Sequence, residues 1–288
     1  MVLQEGVKRW LVDISEWEPS PQDFSAALSS LPQLDHHSIT RFVKLEDRKR
    51  ALVSRLLQYS LVHQVLGIPF QDILIKRTFE GKPYLEGSDY SKTLDFPNFN
   101  FNVSHHGDYV AIASEPISLI GVDIVAPSTP IGNKETVPEF ISSFTSYFST
   151  LEWSNIVNAA NHDQMLTNFY RYWCLKESYV KAIGKGVGER LDKVEFHHIG
   201  WNNIYVKIDG TILSDWKFWL SQLQKNHLIA IARGNPNAAT DSYKRTFKKM
   251  QFDQEECRCG LLLPNTSFEL LKVEQLILQN PNDAGKKM

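Results

Sequence analysis

"FYRYWCLKESYVKAIGKG", residues 169–186, combines two features that conflict on first reading. Phe169, Tyr170, Tyr172, Trp173, Leu175, Tyr179, Val180 and Ile183 lie nearly all round a helix, which predicts a mostly buried one. Yet Lys176, Glu177 and Lys181 stand in its middle. Glu177 and Lys181 are four apart and share a face with Trp173 and Cys174. That spacing fits a helical Glu-to-Lys pair in the favourable orientation, contributing about 0.2–0.5 kcal/mol. It also fits a carboxylate at the edge of a buried aromatic surface, where it needs a cation or a metal.

Working outward, helices are expected over 138–148, 150–160 and 163–183, and strands over 194–196, 204–208, 217–222 and 227–232. Upstream, residues 7–14 read as a strand, 18–33 as a Pro- and Ser-rich loop, and 38–66 as one long helix stopped at Gly67-Ile68-Pro69. Ile73–Arg77 reads as a strand and Glu80-Gly81-Lys82-Pro83 as a turn. Phe99, Phe101 and Val103 alternate with Asn98, Asn100 and Asn102, the pattern of a half-buried strand. Tyr109–Ala113 and Leu119–Val125 follow after short connections, which predicts an antiparallel meander, and 126–138 reads as a loop. This order favours an α+β fold with two similar lobes over a parallel α/β sheet, although no clear repeat is visible. The expected division is 1–118, 119–234 and a C-terminal appendage, 235–288, in which Ser267 would cap a short helix through Leu278.

Composition narrows the function. The chain has 288 residues, 42% hydrophobic and 22% charged, a globular balance with room for a large core. A net charge of −2 excludes a global basic field for nucleic acid or anionic membrane. The best local basic patch lies in residues 41–55, with Arg41, Lys44, Arg48, Lys49, Arg50 and Arg55. Cys174, Cys257 and Cys259 suggest no disulfide framework, and no second pair accompanies Cys257 and Cys259 at zinc spacing. No apolar run reaches membrane length, and the first ten residues resemble neither a signal nor a transit peptide. The cytosol is the default compartment, with organelle import left open.

Four segments could carry chemistry. Asp123 sits in Leu-Ile-Gly-Val-Asp-Ile-Val, where an unpaired buried acid would be costly, and Gly121 leaves room beside it for something bulky. It could also be a strand-end Asp bonded to a neighbouring backbone. Asn102-Val103-Ser104-His105-His106 ends a strand, a common place for binding groups, or simply forms a turn. Ser104 and His105 are adjacent, so they diverge and make no nucleophile–base pair. The turns at Arg77–Pro83 and Gly184–Gly188 meet neither the Walker nor the Rossmann spacing, but could hold phosphate through cations and backbone N–H groups. A Gly-x-Ser-x-Gly elbow is absent, which counts against an α/β-hydrolase.

Taken together, Arg77…Gly81-Lys82-Pro83, Asn102-Val103-Ser104-His105, Gly121-Val122-Asp123 and Trp173-x-x-Lys176-Glu177-Ser178-x-x-Lys181 resemble the 4′-phosphopantetheinyl transferases of the surfactin-synthetase type. The likeness is strongest to the eukaryotic aminoadipate-semialdehyde dehydrogenase-phosphopantetheinyl transferase group and runs over about residues 38–232. It implies two similar α+β lobes related by a pseudo-two-fold, with the active site in the cleft between them. It implies transfer of the phosphopantetheine arm of coenzyme A to a serine of an apo acyl or peptidyl carrier protein, releasing adenosine 3′,5′-bisphosphate.

The resemblance also implies Mg²⁺ on Asp123 and Glu177, with His106 a candidate third ligand where Val125 replaces an acid of many bacterial members. Coenzyme A would meet Arg77, Gly81, Lys82, Asn102, Ser104, His105 and Lys181, with His105 near the 3′-phosphate. Asp123, Glu177 and Lys181 would be catalytic, Glu177 also helping to deprotonate the serine, and Lys176 would stand behind them. A phosphate-binding Arg of the family aligns with Ser38, with Arg41 one turn later. A monomer is expected, with the carrier docked on Arg41, Lys44, Arg48 and Lys49. Fatty-acid and lysine-pathway carriers are both candidates. The competing reading is a non-catalytic carrier-protein or coenzyme A binding module of the same fold, which would have no need of two metal carboxylates.

Overall fold

The computed structural model describes residues 2–87, 95–128, 136–186 and 190–277. The chain opens with α1 (Val2–Glu5), β1 (Lys8–Asp13), α2 (Pro21–Ser29), α3 (Gln33–Thr40) and α4 (Leu45–Leu66). β2 (Ile75–Arg77), β3 (Pro83–Leu85), β4 (Asn100–His106), β5 (Tyr109–Glu115) and β6 (Leu119–Val125) follow. Then come α5 (Val137–Ser142), α6 (Thr150–Val157), α7 (His162–Ile183), β7 (Val194–Ile199), β8 (Asn202–Ile208), β9 (Thr211–Ile212), β10 (Trp216–Leu223) and β11 (His227–Gly234). The chain closes with α8 (Asp241–Lys244), α9 (Gln254–Leu262), β12 (Glu269–Leu270) and α10 (Val273–Leu276). The mixed helix and sheet content is the expected α+β class.

Two sheets stack at the centre, ordered β12-β1-β5-β4 and β10-β11-β6. Leu11, Ala111 and Ala113 of the first meet Ile120, Val122, Ile124, Ile229 and Ile231 of the second in one apolar layer. The outer faces carry the long helices: α4 covers Trp10, Val12, Val110 and Ile112, and α7 covers Leu119, Val125, Leu228 and Ala230. α4 and α7 each run 22 residues and end on a left-handed glycine, Gly67 at φ 70° and Gly184 at φ 75°. Such an end suits glycine, which carries no Cβ penalty there. The layers therefore run helix, sheet, sheet, helix. Across them Glu115 Oε1 accepts from both Arg9 and Arg233, all three fully buried, and burial pushes the Arg9 guanidinium below its usual range.

Several sequence expectations change. Residues 18–33 hold α2, because Ser20 and Asp23 form a capping box with Pro21 at the first helical position. The helix expected over 38–66 is two, α3 and α4, separated at residues 41–44. The meander is broken: β6 pairs with β11, not with β5. The asparagine face of β4 is buried, not solvated. Asn100 Oδ1 accepts from Ile120 N at 3.1 Å, Asn102 Oδ1 from Val122 N at 2.9 Å and Ser104 Oγ from Ile124 N at 3.2 Å. This side-chain ladder satisfies the free edge of β6, where an unmade bond would cost about 1–3 kcal/mol.

The C-terminal segment is tied to the body. β12 runs parallel to β1, and Val273 and Leu276 enter the core around α4. No helix starts at Ser267; α10 begins after Lys272, and residues 278–288 lie outside the described residues.

Candidate active site

α7 is held against β6 by one substitution-sensitive contact. A Cβ on Gly121 would lie 1.9 Å from Ser178 O and 2.6 Å from Ala182 N. The room predicted beside Gly121 is thus filled by the helix itself, not by a ligand. Close approach carries Lys181 onto Asp123, which points to the α7 side of β6. Lys181 Nζ donates to Asp123 Oδ1 at 2.5 Å and to Ser104 Oγ at 2.9 Å, and Ser104 Oγ donates to Asp123 Oδ1 at 3.1 Å. Asp123 is therefore a buried ion-pair partner, not a strand-end cap.

Electrostatics links the neighbours. Burial and the Asp123 charge push the Glu177 carboxyl above its ordinary value, against the pull of Lys181. Burial alone would lower the Lys181 ammonium, but Asp123 and then Glu177 outweigh it and hold it up. Two carboxylates against one ammonium leave a local surplus of negative charge. The His105 and His106 rings both fall below their ordinary value, chiefly through burial, with Lys181 and Arg50 adding to the effect on His105 and Asp123 opposing it on His106. Among the described residues no three His, Cys, Asp or Glu side chains come together as a metal cluster, so His106 does not complete a three-residue set with Asp123 and Glu177.

Glu177, Lys181 and Trp173 line a cleft of about 760 Å³ whose other wall includes Arg77, Gly81, Lys82 and Asn102. That volume suits a small-molecule ligand. Gly81 and Lys82 belong to the turn between β2 and β3, Arg77 ends β2 and Asn102 lies on β4. Gly81 has φ 91°, and Arg77 Nη1 donates to Gly81 O at 2.8 Å. Lys82 is buried, and its Nζ donates to Ile120 O at 2.9 Å and Lys181 O at 2.6 Å. No carboxylate pairs with it among the described residues, and burial followed by the Lys181 charge pulls its pKa down to about 7. Ser104 and Asn102 Oδ1 are spent on Lys181, Asp123 and β6, so Ser104 acts as a strut between β4, β6 and α7.

Lys176 has no place in the cleft. It is fully buried and pairs with Glu152 Oε2 at 2.7 Å, and it also donates to Leu191 O and Val194 O. Of the basic patch, Lys49 is buried, whereas Arg41 and Lys44 are exposed beside Val43 and Leu45, which are 92% and 48% exposed. Sequence reading missed Tyr243, whose ring lies 4.9 Å from Lys82 Nζ. No motif marks it, since it stands in a segment read as an appendage. Part of the second basic turn, residues 187–189, lies outside the described residues.

The cleft thus sets part-buried Glu177 and the Lys181 ammonium, itself paired with buried Asp123, opposite exposed Arg77 and buried Lys82. Two family profiles match the chain: 4′-phosphopantetheinyl transferase, N-terminal, over residues 15–117, and the 4′-phosphopantetheinyl transferase superfamily over 119–232. The L-aminoadipate-semialdehyde dehydrogenase-phosphopantetheinyl transferase of Rattus norvegicus is 36% identical over 244 residues, 82% of this chain and 77% of the relative. A phosphopantetheinyl transferase of Thraustochytrium sp. is 32% identical over 245 residues, 83% of each chain. A holo-ACP-synthase structure from Plasmodium yoelii aligns with 41% of this chain and 94% of its own at a TM-score of 0.32 and 14% identity, too distant to bear on the argument. The chain belongs to the 4′-phosphopantetheinyl transferase superfamily, enzymes that move the phosphopantetheine group of coenzyme A to a carrier-protein serine.

Proposed function

We propose that the cleft between β2–β3 and α7 performs this transfer with Asp123, Glu177 and Lys181 as its catalytic residues. The observation that carries the reading is Glu177 and Lys181 lining one cleft, Lys181 paired with buried Asp123, together with the buried Lys82, which pairs with no carboxylate among the described residues. Arg77 and Lys82 bind phosphate oxygens of coenzyme A, with Gly81 giving the turn its close approach. His105 takes the 3′-phosphate. Lys181 neutralises the diphosphate. The carrier serine Oγ attacks the β-phosphorus, the Oγ–P bond forms and the bond to adenosine 3′,5′-bisphosphate breaks. Glu177 accepts the serine proton, directly or through water.

Two oxygen ligands with a surplus negative charge fit a hard divalent cation, so Asp123 and Glu177 would hold Mg²⁺, with phosphates and water completing its shell. Mg²⁺ there would offset charge on the diphosphate. We propose a monomer of two lobes, 1–118 and 119–234, that docks an acidic carrier on Arg41, Lys44 and Arg48 around exposed Val43 and Leu45. Arg50 Nη1 bonds Gly107 O at 2.7 Å, which links this patch to the end of β4 near the site. The names of the relatives support a lysine-pathway carrier as one substrate. The test is the intact mass of an apo acyl carrier protein after incubation with coenzyme A and Mg²⁺, with and without EDTA. A gain of one phosphopantetheine arm only with metal supports the reading. Coenzyme A binding with no gain on several carriers would favour a binding module.

A further inference from the structure

The family profiles end at residue 232, but the chain returns to the cleft nearly ten residues later. Thr240 N donates to Ile183 O at 2.9 Å, at the last turn of α7. Ser242 Oγ donates to Glu80 Oε2 at 2.6 Å, on the basic turn. Tyr243 is almost fully buried, with its ring 4.9 Å from Lys82 Nζ and its Cβ 3.0 Å from where a Cβ on Gly184 would sit. One four-residue stretch thus touches both the Glu80–Lys82 turn and the end of α7.

We propose that residues 240–243 are a strap that fixes this turn against α7, and that Tyr243 is a positioning residue holding the Lys82 ammonium for the phosphates of coenzyme A. The inference rests on the phosphate role proposed for Lys82. A lysine side chain loses much rotamer freedom when fixed, and a desolvated ammonium gains most from an aromatic face. Lys82 gets two carbonyls and that face and, among the described residues, no carboxylate that would compete with an incoming anion. The Tyr243 hydroxyl has no hydrogen-bond partner among the described residues, so the ring, not the hydroxyl, does the holding.

The experiment titrates the full chain and its Lys82→Met, Tyr243→Leu, Tyr243→Phe and Ser242→Ala variants with adenosine 3′,5′-bisphosphate by calorimetry. KM values for coenzyme A and for carrier protein are measured in parallel. Tyr243→Leu keeps an apolar filler and loses the ring; it should weaken nucleotide binding and raise the coenzyme A KM about tenfold, with the carrier KM unmoved. Tyr243→Phe should bind like the parent. Parental nucleotide binding by Tyr243→Leu overturns the strap, as does an equal loss for nucleotide and carrier. If Tyr243→Leu does not fold, Ser242→Ala decides: it must weaken nucleotide binding by a smaller factor, and parental binding overturns the strap. If Lys82→Met binds nucleotide normally, the phosphate role of Lys82 falls and the strap with it. If Lys82→Met alone weakens binding, only the strap falls.

Discussion

Lys176 and Lys181 stand little more than one turn apart on α7, each beside an acid, and they do different things. Lys176 has Glu152 and two backbone carbonyls, and Glu152 in turn accepts from Ser149 N at 2.9 Å and Phe196 N at 2.9 Å. Every charge there is answered inside the protein. Burial still pulls the Lys176 ammonium down and the Glu152 carboxyl up, which marks a pair that is satisfied but desolvated. Lys181 instead faces two acids and opens on the cleft; the acids hold its own pKa up against burial, while burial and then the Asp123 charge raise that of Glu177. A lysine whose partners are complete is scaffold; one whose surroundings are out of balance awaits a ligand.

The largest expected effect breaks the scaffold half. Lys176→Met leaves Glu152 buried without its cation and should cost about 3–5 kcal/mol of stability, read by denaturant unfolding. Adding Glu152→Leu should recover much of that loss, because well-packed apolar residues replace a buried pair at little cost. Recovery would confirm a structural pair; a stable double variant without turnover would move Lys176 toward the chemistry.

A smaller effect sharpens the cleft half. Free Lys82 titrates near pH 7, and a bound phosphate favours its charged form. Above pH 7 the free protein has lost that proton and the complex keeps it, so binding takes up a proton. Affinity for adenosine 3′,5′-bisphosphate should therefore fall from pH 7 to pH 9. His105 lies below its ordinary value and adds little in that window. In Lys82→Met the slope should flatten; an unchanged slope assigns the proton elsewhere.

The smallest effect concerns the carrier. Charge reversal at Arg41 and Lys44 should raise the carrier KM a few-fold at low salt and less at high salt, with the coenzyme A KM unmoved. A KM that ignores both changes removes this patch as the docking site.

Much of the fold was legible because its signals are local. The stop at Gly67, the apolar α7 and the strand alternation follow from chain geometry. The Ser20–Asp23 capping box is equally local, but Pro and Ser also mark loops, and their density here favours that reading. What stayed hidden was non-local. Nothing near Asn100 or Asn102 announces that their amides would serve the edge of another sheet, and the departure of β6 to β11 has no local signature. The candidate site residues were named from a combination of motifs, and the structure brings Asp123, Ser104 and Lys181 into contact with Glu177 close by. It also withdraws Lys49 and gives Gly121 to helix packing. Tyr243 could only be found in three dimensions.

The most direct test is the single-turnover transfer rate of Glu177→Gln, taken with its melting temperature. Glu177 is raised above its unfolded value, so its ionised form costs stability, fully so above the folded pKa. Glutamine removes that charge, and the melting temperature at neutral pH should hold or rise while the rate falls about 10²–10⁴-fold. A rate like the parent's, or a loss of rate that merely tracks a loss of fold, would contradict the division between the two halves of α7.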